Sequence, residues 1–240
     1  MKSSSEAVVR SRRSDRVLVI MAKAPKPGAV KTRLTSTLSL EAAIGFYECL
    51  LDDTLALARS LEDVDVAIMC PQCDVNALAE LAGNEATAVV AQKGDGLAAG
   101  LSSVFAHFTE DQGRRVIAFN SDSPHLPRPV LQDAFERLSA HDVVVGPTHD
   151  GGYYLVGAKA FHPTLFGADG MGTSSALDRL LLRVRDLELS LSFVDPFYDV
   201  DVSDDLIRLA EELRLAPERA PRTATWLRRW ELAQVGAGEL

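Results

Sequence analysis

Cysteine is scarce in this sequence: there are three in 240 residues, and no second C-x-x-C accompanies Cys70-Pro71-Gln72-Cys73. Cys49 is the only other thiol, so the chain can build neither a four-thiolate zinc site nor a disulfide framework, and the pattern suits a reducing compartment. The lone C-x-x-C is therefore set aside as a redox or zinc centre. Long apolar runs are missing too. Nothing approaches the roughly 18–20 apolar residues of a membrane span. Residues 1–15 are polar and basic, without the apolar stretch of a signal peptide. The expectation is a cytoplasmic protein with no membrane span, whose residues 1–15 form a disordered basic N-terminus.

Positive charge is also in short supply, the formal net charge being −9. Nucleic acid rewards an excess of Lys and Arg, so it is not expected as a partner. Other signatures are absent. Gly28 and Lys31-Thr32 do not have Walker A spacing, and Gly94–Gly100 misses a dinucleotide fingerprint because its last spacing is one residue too long. No G-x-S-x-G elbow is present, which disfavours a serine hydrolase. The five histidines form no H-x-x-x-H pattern and no triad. Internal repeats and low-complexity tracts are lacking as well.

What is present is a regular alternation. Short aliphatic runs at Val17–Met21, Val64–Met69, Ala88–Ala91, Val116–Phe119, Val143–Val145 and Tyr153–Val156 read as buried strands. Helical periodicity fills Glu41–Leu61, Val75–Leu81, Leu97–Phe108 and Pro129–Leu138. Further on, Thr173–Arg185 reads as a helix, Glu188–Phe193 as a strand, Ser203–Leu215 as a helix capped by Ser203, and Ala224–Val235 as a last helix. Alternating strands and helices predict an α/β fold with a mostly parallel central sheet covered by helices on both faces. The best boundary is Ala216–Pro221, which divides a main domain over 16–215 from a helical tail over 216–240.

Ligands of open α/β sheets bind beyond the carboxyl ends of the strands, so the segment after each run matters most. Nine of the 25 Lys and Arg residues fall within residues 1–33, against two of the 34 acids. Four of those nine, Lys23, Lys26, Lys31 and Arg33, stand in the loop Ala22–Leu34 directly after the first run. Two prolines stiffen this loop, and Gly28 permits a positive φ or a close backbone approach. Point-charge Lys, fork-shaped Arg and free amides, with Ala22 and Thr32 among the flanking residues, suit a polyphosphate. A solvated basic loop is the plainer alternative.

After Val116–Phe119 come Asn120 and Asp122, at a strand end where a carboxylate can hold Mg2+ or Mn2+ against a diphosphate; an Asx turn before Pro124 is the alternative. Gly94-Asp95-Gly96 reads as a Gly-rich ligand loop opening a helix, which places Gln92 and Asp95 with the candidate nucleotide contacts. Asp150-Gly151-Gly152-Tyr153 brings backbone and an aromatic ring within reach of a ligand, on the acceptor side. Asp-Gly is equally a type I′ hairpin signal, and the two readings are compatible. Asp199 and Asp201 share one face of an extended segment, and Asp201 is taken with Asp122 as the metal pair; helix capping with surface aspartates is the alternative.

Taken in order, these four loops resemble the GT-A-like nucleotide-diphospho-sugar transferase family, of the radical-SAM-associated or arsenosugar type, over residues 16–210. Ala22–Leu34 carries most of the likeness, followed by Gly146–Gly157, with Asn120–Pro127 and Asp199–Leu206 in support. The resemblance implies a single Rossmann-like GT-A domain, a nucleotide-diphospho-sugar donor, a small-molecule acceptor and a divalent metal. It suggests Lys23, Lys31 and Arg33 for phosphates, Asp122 for metal and nucleotide, and Asp150 near the acceptor. Lys31 and Arg33 would assist departure of the nucleoside diphosphate, with Asp150 as acceptor base. The chain departs from the family at Ser121-Asp122-Ser123-Pro124, where relatives have Thr-Asp-Cys-Pro, at Gly94–Gly100, which lacks a Glu-Arg pair, and at Gly170-Met171-Gly172-Thr173. Two alternatives stay open: a nucleotidyltransferase joining an NTP to a small phosphorylated substrate with release of pyrophosphate, and a nucleotide-binding module without turnover.

Overall fold

Apolar residues on both sides of the first strand explain the architecture. In β1 (Arg16–Met21), Leu18 and Ile20 join one core cluster while Val17 and Val19 join the other. The strand is therefore sandwiched between two layers of helices, as period-two alternation with both faces apolar requires. The computed structural model describes residues 14–83, 87–110 and 113–237. Most of the basic N-terminal segment, residues 1–13, lies outside them. Ser14 and Asp15 are tied to the sheet: Ser14 N–H donates to Asp65 Oδ1 (3.3 Å) and Arg115 N–H to Asp15 O (2.7 Å).

The elements follow the expected alternation. After β1 come α1 (Leu40–Arg59), β2 (Asp65–Cys70), α2 (Val75–Ala82), β3 (Ala88–Ala91), α3 (Gly96–Phe108), β4 (Arg115–Asn120), α4 (Arg128–Ala140), β5 (Val143–Pro147) and β6 (Tyr153–Ala158). The chain then continues through α5 (Ala176–Asp186), β7 (Leu191–Phe193), α6 (Ser203–Leu215) and α7 (Pro221–Ala237). The seven strands form one sheet in the order β3-β2-β1-β4-β6-β5-β7, parallel except for β6, which runs antiparallel to both β4 and β5. Helices α1, α2, α4, α6 and α7 contribute to the core on one face, and α3 and α5 to that on the other. The chain moves outward from β1 through β2 to β3, then returns to place β4 on the other side of β1. That reversal opens a crevice at the carboxyl ends of β1 and β4, the place where such sheets bind ligands.

Local departures from expectation have tertiary or capping causes. The strand expected from Glu188 begins only at Leu191, because residues 187–189 finish α5. Leu189 N–H reaches Val184 O, Glu188 N–H reaches Arg185 O, and Glu188 takes the left-handed φ of 54°. That is a Schellman closure with glutamate where glycine is usual. The helix expected from Thr173 starts at Ala176, after a turn over Gly170–Ser175. Ser203 does not cap α6; Asp205 Oδ2 accepts from the N–H groups of Asp201 and Val202, both at 2.9 Å, while Ser203 Oγ meets Thr37 Oγ1.

The Asp150-Gly151 hairpin is real, but it is not a type I′ turn. Five residues, Thr148–Gly152, link β5 to β6, with Thr148 N–H donating to Gly152 O (3.0 Å), and of these only Gly151 has positive φ. The last helix begins at Pro221, three residues before Ala224. Pro suits a first helical position, and buried Asp53 of α1 accepts from Arg222 N–H (3.2 Å) and Thr223 N–H (2.8 Å). Within the 216–240 tail, Ala224 and Leu227 are buried in the α1 core, and Trp226 packs on Phe46 at 5.0 Å between ring centroids.

Candidate functional site

The loop after β1 is held from several sides. Ala22 N–H donates to Met69 O (3.1 Å), Lys23 N–H to Tyr47 Oη (3.2 Å) and Ala24 N–H to Asp74 Oδ2 (3.1 Å). Tyr47 Oη also lies 3.2 Å from Ser121 Oγ, joining this loop to the one after β4. The four cations then separate. Lys26 turns toward α2 and pairs with Asp74 Oδ1 (2.5 Å) and Cys73 O (3.3 Å). Lys23 and Arg33 stay exposed, whereas the Lys31 side chain is only 3 % exposed. Its ammonium meets Asp122 Oδ1 at 2.5 Å, Val200 O at 2.7 Å and Asp201 Oδ1 at 3.1 Å. Burial by itself would lower the Lys31 pKa, but the charges of Asp122 and Asp201 outweigh it, and the group is held above the ordinary lysine value.

The loop after β4 is fixed by its own side chains. Asp122 N–H donates to Asn120 Oδ1 (3.2 Å), and Val200 N–H donates to Asp122 O (3.0 Å). Asn120 Nδ2 and Ser123 Oγ both donate to Asp199 Oδ1, the latter at 2.9 Å. Burial, reinforced by the charge of Asp122, pushes the Asp199 carboxyl up to about 7 despite these two hydrogen bonds.

Two cavities meet here. The first, of about 520 Å³, is lined by Ala22, Lys23, Lys31, Gln92, Asp95 and Asp122, together with Tyr47, Met69 and Pro71. The second, of about 730 Å³, is lined by Arg33, Asn120, Asp122, Asp150, Gly152, Tyr153 and Asp199, closed on one side by Met171–Ser174. Met21, Leu97, Asp122 and Asp201 belong to both walls. The fold thus brings most of the expected site residues together, while Lys26, Gly28, Thr32 and Gly151 lie on neither wall. Gln92 shapes the loop, its Nε2 donating to Gly94 O (2.8 Å) and Gly96 O (3.2 Å). Gly151 acts from beneath: at φ +87°, a Cβ there would lie 2.0 Å from Ser174 O, and Gly151 O accepts from Leu177 N–H (2.9 Å).

Asp122, Asp150, Asp199 and Asp201 line the second cavity opposite Arg33, and two of them, Asp122 and Asp201, are already paired with Lys31. Asp150 Oδ1 accepts from Thr148 Oγ1 (2.5 Å) and Gly152 N–H (3.2 Å). The Thr148 bond leads in pulling its pKa below the usual carboxylate value. Asp150 is therefore a hydrogen-bond acceptor that stays charged, and a weak proton acceptor.

Sequence reasoning did not select Tyr47 or Asp199. Tyr47 reads as one more apolar position of α1. Asp199 matches Asp201 in pattern and differs only in its surroundings.

Among the described residues, no group of three or more His, Cys, Asp or Glu side chains is arranged to hold a metal ion. Asp122 and Asp201 nevertheless flank the junction, with side chains 29 % and 45 % exposed. Mg2+-type ions are commonly held by one or two carboxylates and completed by substrate phosphates. The donor set fits that kind of site, and not an all-protein cage. No helix of the described residues is long and apolar enough to cross a membrane.

A family profile described as "Uncharacterized protein conserved in bacteria (DUF2064)" matches residues 54–173. No curated protein matches the chain. Among solved structures, a candidate nucleotide-diphospho-sugar transferase from Desulfovibrio desulfuricans G20 is 26% identical, with a TM-score of 0.83 over 91% of this chain and 96% of its own. That likeness agrees with the family resemblance carried by the four loops. The fold is shared more distantly with 4-diphosphocytidyl-2C-methyl-D-erythritol synthase from Anaerococcus prevotii DSM 20548, at 11% identity and TM-score 0.56 over 83% of this chain and 96% of that one. Rv0371c from Mycobacterium tuberculosis H37Rv has 20% identity and TM-score 0.51, over 83% of this chain and all of its own.

Proposed function

The chain belongs to the DUF2064 family, and we propose that it is a metal-assisted transferase that moves a sugar from a nucleotide-diphospho-sugar to a small uncharged acceptor. The observation that carries this reading is the pair of cavities meeting at Asp122 and Asp201, with Lys23 on the wall of one and Arg33 on the wall of the other. A nucleoside fits the first cavity, the diphosphate spans the junction, and the sugar and acceptor share the second. The reaction breaks the bond between the anomeric carbon and the diphosphate and forms one from that carbon to the acceptor oxygen, whose proton passes to the departing diphosphate or to water; negative charge grows on the departing nucleoside diphosphate. Lys23 and Arg33, both exposed at the cavity walls, close on that charge and stabilise it. Bound by Asp122 and Asp201, Mg2+ or Mn2+ would supply further neutralisation of the leaving group. Asp150 orients an acceptor hydroxyl through its free carboxylate oxygen.

The acidity of the second cavity favours sugar transfer over nucleotidyl transfer to a phosphorylated substrate. Such a substrate would place a second anion beside the charged Asp150, where Lys31 is already committed to Asp122 and Asp201 and Arg33 to the diphosphate. Like charges at contact distance in a partly dry site repel by several kcal/mol. The likeness to the D. desulfuricans protein supports the same choice.

Calorimetry with UDP-, GDP-, TDP- and ADP-sugars and the matching NTPs, with and without Mn2+ or Mg2+, tests the proposal. At least one nucleotide-sugar is expected to bind in a metal-dependent way and to be turned over. Pyrophosphate release from an NTP and a phosphorylated substrate would instead select nucleotidyl transfer, and failure of every nucleotide to bind would remove both. Asp122→Asn is expected to lower turnover by about 100-fold or more. A cellular function untouched by that change would point to a binding module without turnover.

A further inference from the structure

Lys31 is built differently from the other cations of its loop. Its backbone takes φ 48° and ψ 35°, a left-handed conformation uncommon outside glycine, and its side chain is enclosed between two segments distant in sequence. An ammonium has three N–H donors. All three have acceptors here: Val200 O, Asp122 Oδ1 and Asp201 Oδ1. None is left over for a phosphate, contrary to the role that the sequence suggests. What the ammonium does is hold together two carboxylates that would otherwise repel each other, one from the loop after β4 and one from the segment before α6.

From this we infer that Lys31 is a positioning residue that keeps the Asp122–Asp201 pair assembled and guards it against bare divalent cations, so that metal enters together with a nucleoside diphosphate. A dication on Asp122 and Asp201 would sit beside a fixed positive charge, which disfavours it. Phosphates arriving with the ion reverse that balance, because their negative charge neutralises the dication. Metal and nucleotide then raise each other's affinity by the same factor. The consequence for catalysis rests on the transferase reading above; the comparison of Mn2+ binding without nucleotide does not.

The test follows free Mn2+ by electron paramagnetic resonance in wild type, Lys31→Met and Lys31→Arg, each checked for folding by near-ultraviolet circular dichroism. Without nucleotide, Lys31→Met is expected to bind Mn2+ about tenfold tighter than wild type, and Lys31→Arg to stay close to wild type. UDP, GDP, TDP and ADP are then added in turn. At least one should tighten Mn2+ binding to wild type by about tenfold, and should do so much less in Lys31→Met. If assembly of the carboxylates outweighed the guarding charge, the sign would reverse, since loss of the ammonium would loosen the pair and weaken Mn2+ binding. Folded Lys31→Met that binds Mn2+ no better than wild type overturns the inference. Should Lys31→Met not fold, Lys31→Gln replaces it with the same expectation. Wild type that binds Mn2+ alone as tightly as with the nucleotide it accepts overturns the inference without any variant. If no nucleotide binds at all, the transferase reading fails, and the Mn2+-alone comparison still decides the role of Lys31.

Discussion

Single residues in this protein often do something other than their type suggests, and His125 is a clear case. It lies beside a candidate loop, yet it is fully buried, neither ring nitrogen has a hydrogen-bond partner, and the Phe197 and Tyr198 rings pack on it at 4.7 Å. Glu212 approaches Nε2 only to 3.9 Å, too far for a hydrogen bond. Burial, with help from Arg219 and Arg208, drives the His125 pKa down to about 3. The unfolded chain therefore takes up a proton near pH 6.5 that the folded chain refuses, so stability should fall as pH drops from about 6.5 toward 3, by up to about 1.4 kcal/mol per unit. His125→Leu removes this contribution and relieves two unsatisfied nitrogens, so it should be neutral or stabilising at pH 7 and should flatten the acid limb. Urea midpoints of both proteins at pH 7, 6 and 5 check this; parallel loss in the two would count against it. Lys23, Arg33 and Asp122 could be selected as site residues because charge after a strand end is visible in the sequence. The burial of Lys31 and the raised pKa of Asp199 were not visible, because both depend on neighbours about 80 to 170 residues away.

At the scale of elements, periodicity was sufficient for nearly all strands and helices, and the errors lie at the ends. A helix end is set by whichever group reaches its free amides or carbonyls. For α6 that group is Asp205 and for α7 it is Asp53. The second is testable. Asp53→Ala leaves Thr223 N–H and Arg222 N–H without their acceptor and should cost about 2–4 kcal/mol, seen as a lower urea midpoint. Deleting residues 216–240 removes Ala224, Leu227 and Trp226 from the α1 face. The shortened chain is expected to lose its cooperative melt; an unchanged transition would show that the tail is a separate appendage.

Across the whole molecule, the reversal of strand order at β1 and β4 places the cationic loop, the Asp122 loop and the Asp199–Asp201 segment around one crevice. The β5–β6 hairpin, pinned through Gly151 to the turn before α5, closes its far side. That arrangement yields a charge pattern with a consequence for acceptor choice. With a bound nucleotide, matched pairs such as glycerol and glycerol 3-phosphate, or glucose and glucose 6-phosphate, should differ in affinity for the second cavity. The uncharged member is expected to bind about tenfold tighter or more, measured by saturation-transfer NMR. Asp150→Asn should narrow the gap. A preference for the phosphate esters would rule out the acceptor class proposed here.

The sequence by itself determined the fold class, the order of most elements and the segments that end up at the crevice, because hydrophobic period and turn chemistry act over a few residues and are written locally. Tertiary structure alone decided which two of the four cations stay exposed, which carboxylates Lys31 binds, that Asp150 is a weak base, and that two cavities share a wall at Asp122 and Asp201. Those properties come from side chains meeting across long stretches of chain and from water excluded by packing. Charge and pKa depend on both, and neither is contained in any short segment.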